Sequence, residues 1–104
     1  MTQKEQIIFD IENTPIILYM KGTKDRPMCG FSARVINILN QHSVVFQDVN
    51  ILEDPDIRVN LSEYSDWPTI PQLFVKGKPI GGCDIVMELE SKRELGDVLQ
   101  IAGT

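Results

Sequence analysis

Lys21-Gly22-Thr23-Lys24-Asp25-Arg26-Pro27-Met28-Cys29-Gly30-Phe31-Ser32 lies between an apolar run, Pro15 to Met20, and a segment with helical apolar spacing at Phe31, Val35, Ile38 and Leu39. A short apolar run, a turn-rich basic loop and a helical stretch read as strand, loop and helix, with Cys29 at the helix start. The first N–H groups of a helix lack intrahelical partners and sit at the positive end of its dipole, so a thiolate there is favoured over a thiol. The thiolate is the form that attacks disulfides and binds metals. Lys21, Lys24 and Arg26 add positive charge against a single Asp25. The competing reading is a buried cysteine acting as a small hydrophobe. Lys24-Asp25-Arg26-Pro27 is a poor approach to a buried position, so the functional reading is preferred.

The chain around this loop has 104 residues, which suffices for one domain, 1–104, with a single core. Hydrophobic residues make up 42% and charged residues 24%, as in an ordinary soluble globular protein. A net charge of -5 with no basic stripe on any predicted helix excludes general nucleic-acid affinity from the expectations. The apolar stretches are too short to span a bilayer. Met1 to Gln6 lacks the apolar core of a signal peptide and the Arg-rich bias of a transit peptide. Two cysteines far apart do not make a secreted disulfide framework, so the cytoplasm is the expected location.

In chain order, Thr2 with Glu5 reads as a capping box for a short helix with Ile7, Ile8 and Ile11 on one face. Ile16 to Met20 is a continuous apolar strand, expected to be central and covered on both faces. The helix from Cys29 runs to Asn40 or His42, and His42 is expected to satisfy last-turn carbonyls. Val44 to Asn50 is a second strand, parallel to the first through a right-handed crossover. Asp54-Pro55-Asp56 is an N-cap followed by proline at the first helical position, opening a helix with Ile57, Leu61 and Tyr64 on one face and Arg58 on the other. Trp67-Pro68-Thr69-Ile70-Pro71 cannot be regular helix. Gln72 to Val75 is a strand, Lys76 to Pro79 a tight turn, and Ile80 enters a short return strand. Asp84 can cap the next helix, with Ile85, Val86 and Leu89, and Ser91 to Glu94 has capping-box spacing before Leu95, Val98 and Leu99. A βαβ half followed by a ββα half, with a cysteine at the first strand-to-helix junction, gives an α/β fold of thioredoxin-like type: a four-stranded mixed sheet with helices on both faces.

Cys29-Gly30-Phe31-Ser32, preceded by Lys21 and followed by Trp67-Pro68-Thr69-Ile70-Pro71-Gln72 and Gly81-Gly82-Cys83-Asp84, resembles the monothiol glutaredoxins of the Cys-Gly-Phe-Ser type. The resemblance covers nearly the whole chain, with the three motifs in the right order and spacing. It implies that the protein binds glutathione and that a symmetric homodimer shares one [2Fe–2S] cluster, with Cys29 as the protein ligand. It further implies that Lys21 and Arg58 meet the glycine carboxylate of glutathione. Ile70, before a cis-proline at Pro71, would offer its backbone to the cysteinyl residue, and Cys83 and Asp84 would hold the γ-glutamyl end. These roles suit an extended peptide with two carboxylates and one amine. Each also has a bland alternative: a solvated lysine at Lys21, a helix-surface arginine at Arg58, a simple cap at Asp84.

Cys83 has two readings. It forms a disulfide with Cys29, or it is a small residue whose backbone N–H matters; the second is preferred, because geometry decides pairing. Ser32 stands three after Cys29 where dithiol relatives carry cysteine, so no disulfide closes within the motif. The resemblance then implies four thiolates from two Cys29 and two glutathiones, on the axis of an isologous dimer. Three functions follow from it. The first is carriage of a cluster to apo iron–sulfur proteins. The second is glutathione-dependent thiol–disulfide exchange through Cys29. The third is a redox adaptor that docks a BolA-like or iron-regulatory partner.

Overall fold

The computed structural model describes the backbone of residues 1–103 and the side chains of residues 1–100. The order is α1 (Gln3–Asn13), β1 (Ile16–Met20), α2 (Gly30–Gln41), β2 (Gln47–Asn50), a 3-10 turn (Ile51–Glu53), α3 (Pro55–Ser65), β3 (Gln72–Val75), β4 (Lys78–Gly81), α4 (Cys83–Ser91) and α5 (Leu95–Gly103). The strands form one sheet in the order β2-β1-β3-β4. β1 pairs with β2 in parallel and with β3 in antiparallel register.

The apolar run of β1 explains why the sheet is covered twice. Side chains alternate across a strand, so an uninterrupted apolar strand serves two cores. Ile16, Leu18 and Met20 pack with Val35 and Leu39 of α2, Val86 of α4 and Leu95 and Leu99 of α5. Ile17 and Tyr19 pack on the other face with Ile7 and Ile11 of α1 and Leu61 of α3. This is the expected thioredoxin-like α/β architecture. Among the described residues no helix is long and apolar enough to cross a membrane.

Local signals act as expected at the starts of α1 and α3. Thr2 and Glu5 form the reciprocal capping box, and Asp54 caps α3 ahead of Pro55. The second Asp54 oxygen accepts from Gln3 Nε2 at 3.0 Å, which ties α1 to α3.

Several expectations are corrected. β2 begins at Gln47, not Val44: β1 offers ladder partners only to Gln47 and beyond, and Val45 is 92% exposed. The hairpin turn is only Lys76-Gly77, both at positive φ, and Pro79 lies in β4, tolerated because β4 is an edge strand. The inward stripe of α2 is Ser32, Val35, Ile36 and Leu39; Phe31 is 61% exposed. His42 spends its ring on Glu90 of α4, Nε2 to Oε1 2.8 Å, instead of on last-turn carbonyls. Asp84 is not a cap: Gly82 holds that position, with no side-chain bond. Ser91 does not open α5, because its hydroxyl donates back to Glu88 O. α4 closes instead in a Schellman turn, with Arg93 at φ 60° and the Glu94 N–H on Leu89 O.

Candidate functional site

Cys29 is the N-cap of α2 and is partly exposed. A serine or aspartate at that position would cap the N–H groups two and three residues on with its oxygen. Here the acceptor is sulfur, and it gains most by ionising. The Ser32 backbone N–H holds the Cys29 thiol below its usual range against the opposing effect of burial, with smaller help from the Phe31 N–H, the Lys21 charge and the Ser32 hydroxyl.

Ser32 is fully buried and its Oγ accepts from the Lys21 N–H at 3.3 Å. The residue in the fourth motif position thus pins the start of α2 to the end of β1. The loop between them is closed by Gly22, whose φ is 90° and which bridges to Pro27. A Cβ at Gly22 would run into the Arg26 carbonyl oxygen and come within 2.7 Å of the Met28 N. Gly22→Val is expected to cost about 2–4 kcal/mol, from positive φ and this clash together. A denaturant melt that leaves the midpoint unchanged would show the loop to be less constrained.

A cleft of about 490 Å³ opens at the first turn of α2, lined there by Phe31, with Cys29 two residues before it and outside the lining. Of the residues expected at the site, Ile70, Cys83 and Asp84 line it, together with Trp67, Thr69, Phe31 and Ile85. Ile70-Pro71 is cis, as expected. Among the described residues no hydrogen bond uses the Ile70 backbone, so its N–H and carbonyl are available. Asp84 is exposed in the first turn of α4, while Gly82 approaches Pro71 so closely that a Cβ there would sit 3.1 Å from the proline carbonyl oxygen.

Lys21 and Arg58 stand outside the lining of the cleft. Lys21 acts on Cys29 by its charge. Arg58 is exposed on α3 and donates to the Pro68 carbonyl at 3.1 Å, leaving its other N–H groups free for a ligand. The residues missed by sequence reasoning are Trp67, Thr69, Phe31 and Ile85. Phe31 and Ile85 fit helical apolar spacing, and both put large apolar surface at the cleft.

The two cysteines are free. Cys83 is 7% exposed, with Sγ 3.7 Å from Met87 Sδ. Burial pushes its thiol up, opposed by Arg34 and reinforced by Asp84 and Cys29. Thiolate fraction therefore separates the pair. Alkylation by iodoacetamide at neutral pH is expected to modify Cys29 first, with a rate-versus-pH curve displaced to lower pH than that of an ordinary cysteine. Cys83 responds only at higher pH; peptide mapping of the alkylated protein that finds equal labelling would contradict this order.

The Glutaredoxin family matches residues 16–80. A Rickettsia felis protein described as probable monothiol glutaredoxin 2 is 47% identical over 103 residues, which is 96% of this chain and 99% of that protein. The chain belongs to the monothiol glutaredoxins. The solution structure of reduced apo GrxS14 from poplar superposes on this glutaredoxin with a TM-score of 0.83 at 43% identity, covering 95% of this chain and 91% of the poplar one. A buckwheat glutaredoxin–glutathione complex superposes with a TM-score of 0.85 at 26% identity, covering 97% of this chain and 90% of its counterpart.

Among the described residues no three Cys, His, Asp or Glu side chains converge to hold a metal ion. The Cys29 thiol is partly exposed and held below its usual range, while the Cys83 thiol is buried at the wall of the cleft against Met87.

Proposed function

We propose that this glutaredoxin binds glutathione in the cleft beside Cys29 and carries a [2Fe–2S] cluster, as cargo, between two copies of itself for delivery to apo iron–sulfur proteins. The observation that carries the proposal is the single accessible thiol, held below its usual range at the start of α2. A [2Fe–2S] cluster takes four thiolates. This chain offers one, so the others come from a second copy and from two glutathiones. The buckwheat relative of similar fold is a glutathione complex, which supports the peptide in the cleft.

In this scheme the Ile70 backbone pairs with the cysteinyl part of glutathione, and Asp84 with the first N–H groups of α4 meets the γ-glutamyl end. Lys21 and Arg58 attract the glycine carboxylate from outside the cleft. The helix N–H groups at Cys29 favour ionisation of its sulfur, the form that serves as a ligand. Free cysteines suit a reducing compartment, and we assign the protein to the cytoplasm. A BolA-like protein could replace the second copy in a mixed dimer.

Anaerobic reconstitution with iron, sulfide and glutathione tests the assignment. A coloured dimer with about two irons per pair of chains is the expected product. A colourless monomer would sink it.

The depressed Cys29 thiol also favours a second reading, glutathione-dependent exchange. The thiolate would attack a protein–glutathione mixed disulfide, releasing the protein thiolate and becoming glutathionylated itself. A second glutathione would then regenerate Cys29 and leave as oxidised glutathione. Multiple turnover on a glutathionylated protein, with no cluster assembled, would favour that reading.

Lys21→Ala and Arg58→Ala are each expected to weaken glutathione binding by about 1 kcal/mol, since their contacts are solvent-exposed. High salt should reproduce part of the loss. Calorimetric titration showing parental affinity in both variants would remove them from the site.

A further inference from the structure

Among the described residues only two polar side chains are fully buried, Ser32 and Gln72. Ser32 is accounted for by the Cys29 loop. Gln72 is not: it sits 1% exposed at the start of β3, where every other residue of the strand is apolar. Burying an amide is costly unless its hydrogen bonds are made, so its presence calls for a reason.

The neighbouring segment supplies one. Residues 67–71 contain two prolines, which have no N–H to donate, and make no backbone–backbone hydrogen bond among the described residues. The segment is held by side chains. Ser65 Oγ accepts from the Trp67 N–H at 3.2 Å, and exposed Arg58 donates to the Pro68 carbonyl at 3.1 Å. Gln72 Nε2 donates to both the Trp67 and Thr69 carbonyls, each at 3.0 Å. Of these tethers only Gln72 works from a dry position, where a hydrogen bond is electrostatically stronger; its Oε1 is buried without a partner among the described residues, so the two Nε2 bonds are all that the amide gains there. Two carbonyls facing one amide also fix which way that amide points, since the flipped form would set oxygen against oxygen.

We infer that Gln72 is a positioning residue for the glutathione cleft: its amide clips the 67–71 segment so that the Ile70 backbone is presented without a partner of its own. Trp67, Thr69, Ile70 and Pro71 all line the cleft, and Gln72 is outside its lining. It acts through the segment. The inference rests on the proposed glutathione binding and adds the residue that preorganises it. Leucine or valine at this position would satisfy the strand but leave the segment without its buried tether.

Trp67 is the only tryptophan of the chain, so its fluorescence reads the segment directly. Three measurements on the full chain decide the matter: calorimetric affinity for reduced glutathione, acrylamide quenching of Trp67, and the pH profile of Cys29 alkylation. Gln72→Met keeps the length and loses both donors. It is expected to weaken glutathione binding roughly tenfold and to increase quenching, with the Cys29 profile unmoved, because that thiol is set by α2. Gln72→Asn keeps the amide but shortens its reach, so it should fall between; being the milder change, it stands in if the Met variant does not fold. Affinity within twofold of the parent and unchanged quenching overturn the inference. So does a loss of affinity accompanied by a shifted Cys29 profile, which is the sign of general damage. If the parent itself fails to bind glutathione, the proposed function falls, while quenching still decides whether Gln72 clips the segment.

Discussion

Cys29→Ser is expected to abolish cluster assembly completely while leaving the protein folded. The argument has two halves. On the chemical side, a hydroxyl remains protonated at neutral pH and is a poor iron ligand, and no other thiol can take over. Cys83 is buried, its thiol is pushed up by that burial, and its sulfur rests on Met87. On the structural side, Cys29 is partly exposed and contributes nothing to either core, so nothing is lost in packing. Serine is among the better N-cap residues, and the introduced hydroxyl would stand before the Phe31 and Ser32 N–H groups. Stability should therefore hold or rise by about 0.5–1 kcal/mol. Visible spectra of parent and variant after oxygen-free reconstitution, with a denaturant melt of each, measure both halves. A charge-transfer band of parental intensity in the variant would show that Cys29 is not the ligand. By contrast, Cys83→Ser should keep the band.

The fold was legible because β1 states it twice. Five apolar residues in a row cannot have a wet face, and the helical patterns on either side supply the two covers. Caps at Thr2 and Asp54 and the prolines at 55, 68 and 71 placed the boundaries where backbone chemistry alone decides them. What failed was everything set by neighbours in space. Val44 and Val45 have strand character but no partner opposite them, because β1 has not yet begun. Phe31 fits a helical stripe, but the inward position of the first turn belongs to Ser32, whose oxygen meets the Lys21 N–H. Ser91 and Glu94 carry capping-box spacing, yet α4 runs through Ser91 and stops in a left-handed turn at Arg93.

The site was legible in part for the same reason. A thiol at a helix N-terminus is a local feature, and its depressed pKa follows from N–H groups two and three residues on. The cleft is not local. It is assembled from the first turn of α2, the 67–71 segment and the first turn of α4, and no spacing rule places Trp67 beside Ile85. Arg58 shows the limit most clearly: its place on the far side of α3 could be read, but not its bond to the Pro68 carbonyl. Gln72 could be read as strand and no more, since the need for its amide appears only once the proline-rich segment lies against it.

Withdrawal of glutathione is expected to release iron and dissolve the dimer in one step. If two of the four thiolates come from free glutathione, the loaded state contains two chains and two small molecules held in a single equilibrium. Its population then falls steeply as glutathione is diluted, because two ligands and two protomers enter the same mass-action expression. The chain itself gives no counterweight. Among the described residues no group of three Cys, His, Asp or Glu side chains exists that could retain the iron, and Cys83 is buried with its sulfur on Met87. Reduced glutathione in a titration series under anaerobic conditions, with iron content and molecular mass followed together, provides the measurement. Both should collapse over the same concentration range, and the monomer left behind should remain folded. A dimer that keeps its full complement of iron at zero glutathione would require all four ligands from protein. That could only be met by Cys83 leaving its contact with Met87, and it would overturn the proposed carrier mechanism while leaving the architecture as it stands.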